Sequence, residues 1–263
     1  MLGAQKKSYD ARDLDYRKLG TVDELPTSYT NPNISEVFRH DQAGTPTCGA
    51  HAGVHAKQLL DYKDTGNNKL SPTYFWKKIK SIDTWPPDDG TDIRAICRAL
   101  KSFGVCSYKL SPSNWDRDIF EYSKDDTTEA QNEDAQPRVI GSYAFTGGNR
   151  ELIKRAVKQN GAVILLIRFD KDYFKKKIIT SNGDKTSGHF VVAYGWDGDD
   201  ILVVCSAHGS NSAPYKVLKP SFSIEDGAVI TDIPDSEVRA LIEKRALLQK
   251  LVELWRKLTS LTK

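Results

Sequence analysis

Residues 40–62 read HDQAGTPTCGAHAGVHAKQLLDY, and this stretch decides how the rest of the chain is read. The Gly-Thr-Pro-Thr run at 44–47 is a turn signal. From Cys48 onward the residues are mostly small. Small residues on a helix let neighbouring backbone approach closely, so the pattern predicts a buried helix between Thr45 and Asp64, with Cys48 at its start. A thiol is a poor nucleophile until it becomes a thiolate, and the dipole of a helix N-terminus favours negative charge. On this segment alone a buried structural cysteine is the simpler reading, since free Cys is among the most buried residue types.

Working outward, LSPTYFWKKIKSI (70–82) has Pro72 in its first turn and predicts a second helix. Thr91–Phe103 predicts a third, ended by Gly104, with Ile93, Ile96, Cys97, Leu100 and Phe103 at helical spacing. That spacing makes Cys97 a core residue, and Cys106 is read as the packed start of a strand. Residues 112–140 read as an acidic loop. ELIKRAVKQNGAV (151–163) predicts a helix stopped at Asn160-Gly161. AVILLIRF (162–169), HFVVAYGW (189–196) and ILVVCSA (201–207) are strand candidates, the last two joined by the hairpin signal Asp197-Gly198-Asp199-Asp200. Helices thus dominate the first half and strands the second, which predicts an α+β fold of two lobes.

The 263 residues suffice for one large domain or two lobes sharing a cleft. The net charge of +3 gives no global argument for nucleic acid as a partner. The surplus is local: seven Lys/Arg against three Glu from Ser236 to Lys263 give that tail +4 and leave −1 elsewhere. Four cysteines are too few for a disulfide-dense secreted scaffold and are compatible with a reducing compartment. The opening MLGAQKKSYDARD lacks the apolar stretch of a signal peptide. No apolar run approaches the roughly 18 residues of a membrane span.

Five segments together resemble the papain-like cysteine peptidases. HDQAGTPTCGAHA is similar to their nucleophile segment, in which Gln precedes, by six residues, a Cys that opens the central helix. LSPTYFWKKIK resembles their second helix, and DDGTDIRAICRALKSFGVCSY their Gly-rich cleft segment and following helix. NRELIKRAVKQNGAVILLI and SGHFVVAYGWDGDDILVV resemble the elements around the catalytic histidine. The segments keep family order from about Leu25 to Gly209. The resemblance implies a two-lobed fold, a helical lobe facing an antiparallel β-barrel-like lobe. It implies a peptide or protein substrate and no cofactor. Cys48 would attack the scissile carbonyl, and His189 would pair with its thiolate and protonate the leaving amine. Gln42 would help to form the oxyanion hole.

Two departures stand out. The family's Asn, which orients the histidine, has no direct counterpart: Ser206-Ala207-His208-Gly209 aligns best, so Ser206 is expected to hydrogen-bond His189 and His208 to replace a shielding indole. The aromatic residue that commonly follows the nucleophile is Gly49. Three other readings compete. A bacteriocin-processing type of cysteine peptidase shares the Gln…Cys…His layout but normally adds an Asp, and none lies at 205–207. A catalytically weakened papain-fold binding module fits the altered Asn position. Cys48, His51 and His55, at i, i+3 and i+7, also share a helical face that could hold zinc.

The flanks read separately from the domain at 25–233. Residues 1–24 are polar and form an arm, a candidate short prosegment. Residues 234–263 predict an amphipathic helix with Leu247, Leu251, Leu254, Leu258 and Leu261 in a heptad-like stripe. Such a stripe can pack on the domain, self-associate or lie on a membrane surface.

Overall fold

The computed structural model describes residues 4–7, 14–16, 24–65, 69–113, 115, 118–169, 173–182, 187–206 and 214–232. The expected helix at 234–263 and the expected shield His208 lie outside them. Residues 1–232 form one compact unit.

The chain runs through β1 (Ala4–Gln5), β2 (Ser28–Thr30), α1 (Cys48–Thr65), α2 (Pro72–Lys80), β3 (Thr91–Asp92) and α3 (Ile93–Phe103). It continues through α4 (Ile119–Tyr122), α5 (Glu129–Ala135), β4 (Ser142–Phe145), α6 (Arg150–Asn160), β5 (Val163–Phe169) and β6 (Ile178–Ile179). It closes with β7 (Ser187–Asp197), β8 (Asp200–Val204), β9 (Tyr215–Leu218) and β10 (Ile224–Thr231). The helix boundaries follow local chemistry. The Ser71 hydroxyl caps α2 by accepting from the Tyr74 N–H, with Pro72 at the first helical position. The Asp92 carboxylate accepts from the Arg94 and Ala95 N–H groups to cap α3. Gly161, left-handed at φ 87°, ends α6.

The α+β expectation stands, with one correction. The strands form an open sheet in the order β4-β10-β5-β7-β8-β9-β6, with β2 beside β7. No closed barrel forms: β4 and β6 are the ends of that path, and the β6–β9 pairing is parallel and two residues long. Two further expectations change. The acidic loop at 112–140 contains α4 and α5, the latter with a reciprocal capping box between Thr128 and Gln131. Cys106 starts no strand: it is buried next to a single bridge between Leu70 and Ser107.

Strand alternation gives the sheet two apolar faces. Ile164, Leu166, Phe190, Val192, Tyr194 and Val204 pack in one core with Cys48, Val54, Phe75, Ile96 and Leu100 of the three long N-terminal helices. Val163, Leu165, Ile167, Val191, Ala193, Val203 and Cys205 pack in another with Ile153, Ala156 and Val157 of α6. No helix among the described residues is long and apolar enough to cross a membrane.

Candidate active site

Cys48 is the first residue of α1 and is fully buried. Burial is the largest influence on its thiol and pushes it up to about 12. The backbone amides of Phe190, Gly49 and Cys48 itself work the other way, as hydrogen bonds at a helix start should. Phe190 follows His189 on β7, so the sulphur lies against the strand that carries the expected base.

The departure at Gly49 has a steric cause. A Cβ there would lie 2.5 Å from the Thr91 Cγ2 on β3, so the close approach of that strand excludes any larger side chain.

Gln42 is fully buried and held from both ends of its amide. Its Nε2 donates to the Thr45 carbonyl at 2.6 Å, and its Oε1 accepts from the Ser206 hydroxyl at 2.8 Å. The turn beneath has Ala43 and Gly44 both left-handed (φ 50° and 77°), and the Thr45 N–H closes on the Gln42 carbonyl at 3.0 Å. With Oε1 occupied by a hydroxyl donor, the second Nε2 hydrogen is the one left to face a ligand.

His189 is fully buried, and its Nε2 lies 3.1 Å from the Cys205 Sγ. Its Nδ1 makes no hydrogen bond, a loss that costs about 1–3 kcal/mol in a buried site. The expected bond between His189 and Ser206 is therefore not formed: Cys205 takes that place, and Ser206 serves Gln42. Nor does either ring nitrogen hydrogen-bond Cys48. Alternation along the chain explains the first result. Cys205 falls on the sheet face that His189 shares with its cross-strand partner Ile167. Ser206 points the opposite way.

Three rings meet the imidazole edge-on: Phe174 at 5.7 Å, Phe169 at 5.8 Å and Tyr173 at 6.1 Å between centroids. They supply an apolar wall about His189. Burial, then the charges of His51 and Lys216, lowers the His189 pKa to about 3. Behind the wall, the buried Lys216 ammonium donates to the carbonyls of Tyr173, Phe174 and Lys176 at 3.1, 3.2 and 2.7 Å.

The metal reading finds no geometry. No group of three His, Cys, Asp or Glu among the described residues is placed to hold an ion. The His51 Nδ1 bonds the Thr47 carbonyl at 2.9 Å. His40, His51 and His55 form a ring cluster with Phe38, Tyr108 and Trp115. His40 is also lowered to about 3, first by burial and then by His51.

Two histidines held neutral make a stability prediction. Each has a folded pKa below its unfolded value of about 6.5, so the unfolded chain takes up the proton first as pH falls. Stability is full above about pH 6.5 and declines toward pH 3. At pH 5 the expected loss is about 2 kcal/mol per histidine. Urea midpoints at pH 7 and pH 5 read it directly, and equal midpoints would contradict it.

Residues 4–7 lie beside the strand that carries His189. Ala4 and Gln5 pair in parallel with Thr91 and Asp92 of β3, and Ala4 is buried. On the other side a Cβ at Gly188, the residue before His189, would overlap the Ala4 carbonyl oxygen. Gln5 Nε2 donates to the Asp89 carbonyl at 2.7 Å, and Lys6 and Lys7 face Glu225 and Asp226 at 3.7 and 3.9 Å.

No protein-family model matches the sequence, and no curated protein sequence is significantly similar. Solved structures are similar. Xylellain, a cysteine protease from Xylella fastidiosa, shares 18% identity at a TM-score of 0.73, over 88% of this chain and 96% of its own. The pineapple (Ananas comosus) bromelain protease, in complex with the E64 inhibitor, gives 17% and 0.59 over 80% and 100%. ProCathepsin B S9 from Trypanosoma congolense gives 16% and 0.65 over 87% and 85%. The fold is that of the papain-like cysteine proteases.

Within that papain-like fold the sequence pointed to Gln42, Cys48, His189 and Ser206 but missed Cys205. The terminal Cys of an apolar strand run, ILVVC, carries no signal beyond ordinary core packing. The aromatic wall was equally hidden, because two of its three rings come from the turn after β5.

Proposed function

We propose that the chain is a cysteine peptidase that hydrolyses peptide or protein substrates through Cys48 and His189. The observation that supports this most is the position of Cys48, which opens α1 and packs in one core with Phe190, the residue after His189 on β7. In the reading proposed, the His189 ring, which lies on the sheet face of Cys205, turns toward Cys48 when substrate binds; Nδ1, the ring nitrogen left without a partner, takes the thiol proton, and the thiolate attacks the carbonyl carbon. The oxyanion then meets the Cys48 N–H and the free Nε2 hydrogen of Gln42. Catalytic hydrogen bonds often tighten only when substrate is bound, so the open Cys48–His189 pair is compatible with this role.

We further read residues 1–24 as a short autoinhibitory prosegment. Ala4 lies between β3 and Gly188, so it covers the ground between the nucleophile segment and the base. With the arm in place Cys48 is a thiol and His189 a neutral imidazole, a pair that is chemically silent. The leucine stripe of 247–261, which lies outside the described residues, is read as a surface for the domain itself, for self-association or for a membrane.

The competing reading is a catalytically silent binding module of the same fold, favoured by the missing hydrogen bond between Cys48 and His189. Incubation with E-64, followed by peptide mass mapping, separates the two. The peptidase reading expects one equivalent bound at Cys48, and faster labelling once the arm is trimmed. A chain trimmed of its arm that stays folded and unlabelled is a binding module.

A further inference from the structure

We propose that Cys205 is the positioning residue for His189, its sulphur accepting the N–H of Nε2 and so holding the ring with Nδ1 free to receive the Cys48 proton. This rests on the peptidase reading and adds a residue to it. Four observations converge on the pair. The Nε2–Sγ separation is 3.1 Å, and Cys205 is fully buried, so no water competes for the contact. Ser206, the nearest hydroxyl in sequence, is occupied by Gln42. Phe169, Tyr173 and Phe174 restrict the imidazole from its edges. The turn carrying two of those rings is pinned by the Lys216 ammonium through three carbonyls.

The proton accounting calls for an acceptor that stays in place through the transfer. When His189 takes the Cys48 proton on Nδ1, the ring becomes an imidazolium with N–H groups on both nitrogens. The Nε2–H stays where it was and needs an acceptor in a site closed to water. A thiol sulphur can take that role as a weak acceptor. Burial lowers the Lys216 pKa and Cys205 acts the other way, so the Lys216 side chain lies within electrostatic reach of the sulphur. The same sulphur faces the buried Tyr173, whose hydroxyl is raised first by burial and then by Cys205. The titratable and charged groups about His189 are thus His51 from α1, Cys205 just past β8, Lys216 from β9 and Tyr173 from the turn.

The test uses the full chain with Cys205→Ala and Cys205→Asn, and two readouts. The first is kcat and KM on a peptide substrate. The second is the pH profile of Cys48 alkylation by iodoacetamide, followed on the peptide that contains Cys48. Cys205→Ala is expected to lower kcat by about 10²-fold with KM within about twofold. It should also move the midpoint of the alkylation profile up by about one pH unit. Cys205→Asn, whose carboxamide oxygen can accept the same N–H, should recover most of both. An unchanged kcat and profile in Cys205→Ala would overturn the proposal. So would a loss that Cys205→Asn fails to recover while its circular dichroism matches the parent. Cys48→Ala run alongside keeps the two claims apart. Turnover that survives it refutes the peptidase reading, while the alkylation profile still reports on Cys205 because it needs no hydrolysis.

Discussion

Cys48→Ala is expected to lower peptide hydrolysis by about 10⁴-fold or more and to leave the fold intact. Cys48 is fully buried at the start of α1, and replacing its thiol by a methyl hydrogen removes one sulphur from a helix already lined with Ala and Gly. The stability change should therefore be small beside the change in rate. His189→Ala should cost a similar factor, and the double variant should be no worse than either, because two residues acting as one unit do not give additive losses. Turnover measured with each protein at saturating substrate, alongside its thermal midpoint, checks all three. A Cys48→Ala protein that kept more than about a hundredth of the parent rate would remove Cys48 from the chemistry.

The second large effect concerns the arm. A thiol held at about 12 is ionised in only about one molecule in 10⁵ at pH 7. Burial is the first cause of that shift, and likewise of the shift at His189. Removing residues 1–24 admits water between β3 and Gly188 and so relieves burial at both groups. The thiol pKa falls, the imidazole pKa rises, and the thiolate–imidazolium pair becomes accessible. Alkylation of Cys48 at pH 7 is expected to accelerate by about 10²-fold, with a parallel rise in kcat/KM. A shorter cut, residues 1–7, keeps Tyr16, which is buried and bonded to Gln159. It should give the same acceleration if Ala4 and Gln5 are the inhibitory part. Unchanged alkylation in both trimmed chains would dismiss the arm as an inhibitor.

The parts of the fold that were legible in the sequence are those whose signals are local. The Gly-Thr-Pro turn before Cys48, the Ser71-Pro72 start of α2, and Gly104 and Gly161 as stops mark helices by the chemistry of their own ends. VILLIRF and HFVVAYGW mark central strands because both faces are covered. β10 escaped notice because Glu225-Asp226-Gly227 interrupts its apolar run, although the strand continues through a register shift at that point. How far the barrel-like sheet closes was not legible either. Whether β4 meets β6 depends on strand order, and no residue in either strand records that order.

At the site, the segments were legible and the last contact was not. Ser206 was the residue with hydrogen-bonding chemistry, so it drew the role of orienting His189. Successive strand residues point to opposite faces, however, and a difference of one position changes the partner completely. Cys205 therefore meets His189, and Ser206 meets Gln42. The polar residue proved to hold the amide, and a residue readable as core filling lies against the imidazole.

The pairing of Ala4 and Gln5 with β3 has a kinetic consequence. If the arm is the inhibitor proposed, it competes for the cleft from its own chain, at a local concentration fixed by the linkage. Dilution cannot lower that concentration. A peptide substrate contends with a rival that never diffuses away, and the rival raises the apparent KM while leaving kcat untouched. The two-residue ladder is short enough for a concentrated substrate to displace. On that reading latency is a threshold set by substrate abundance, passed without cutting a bond.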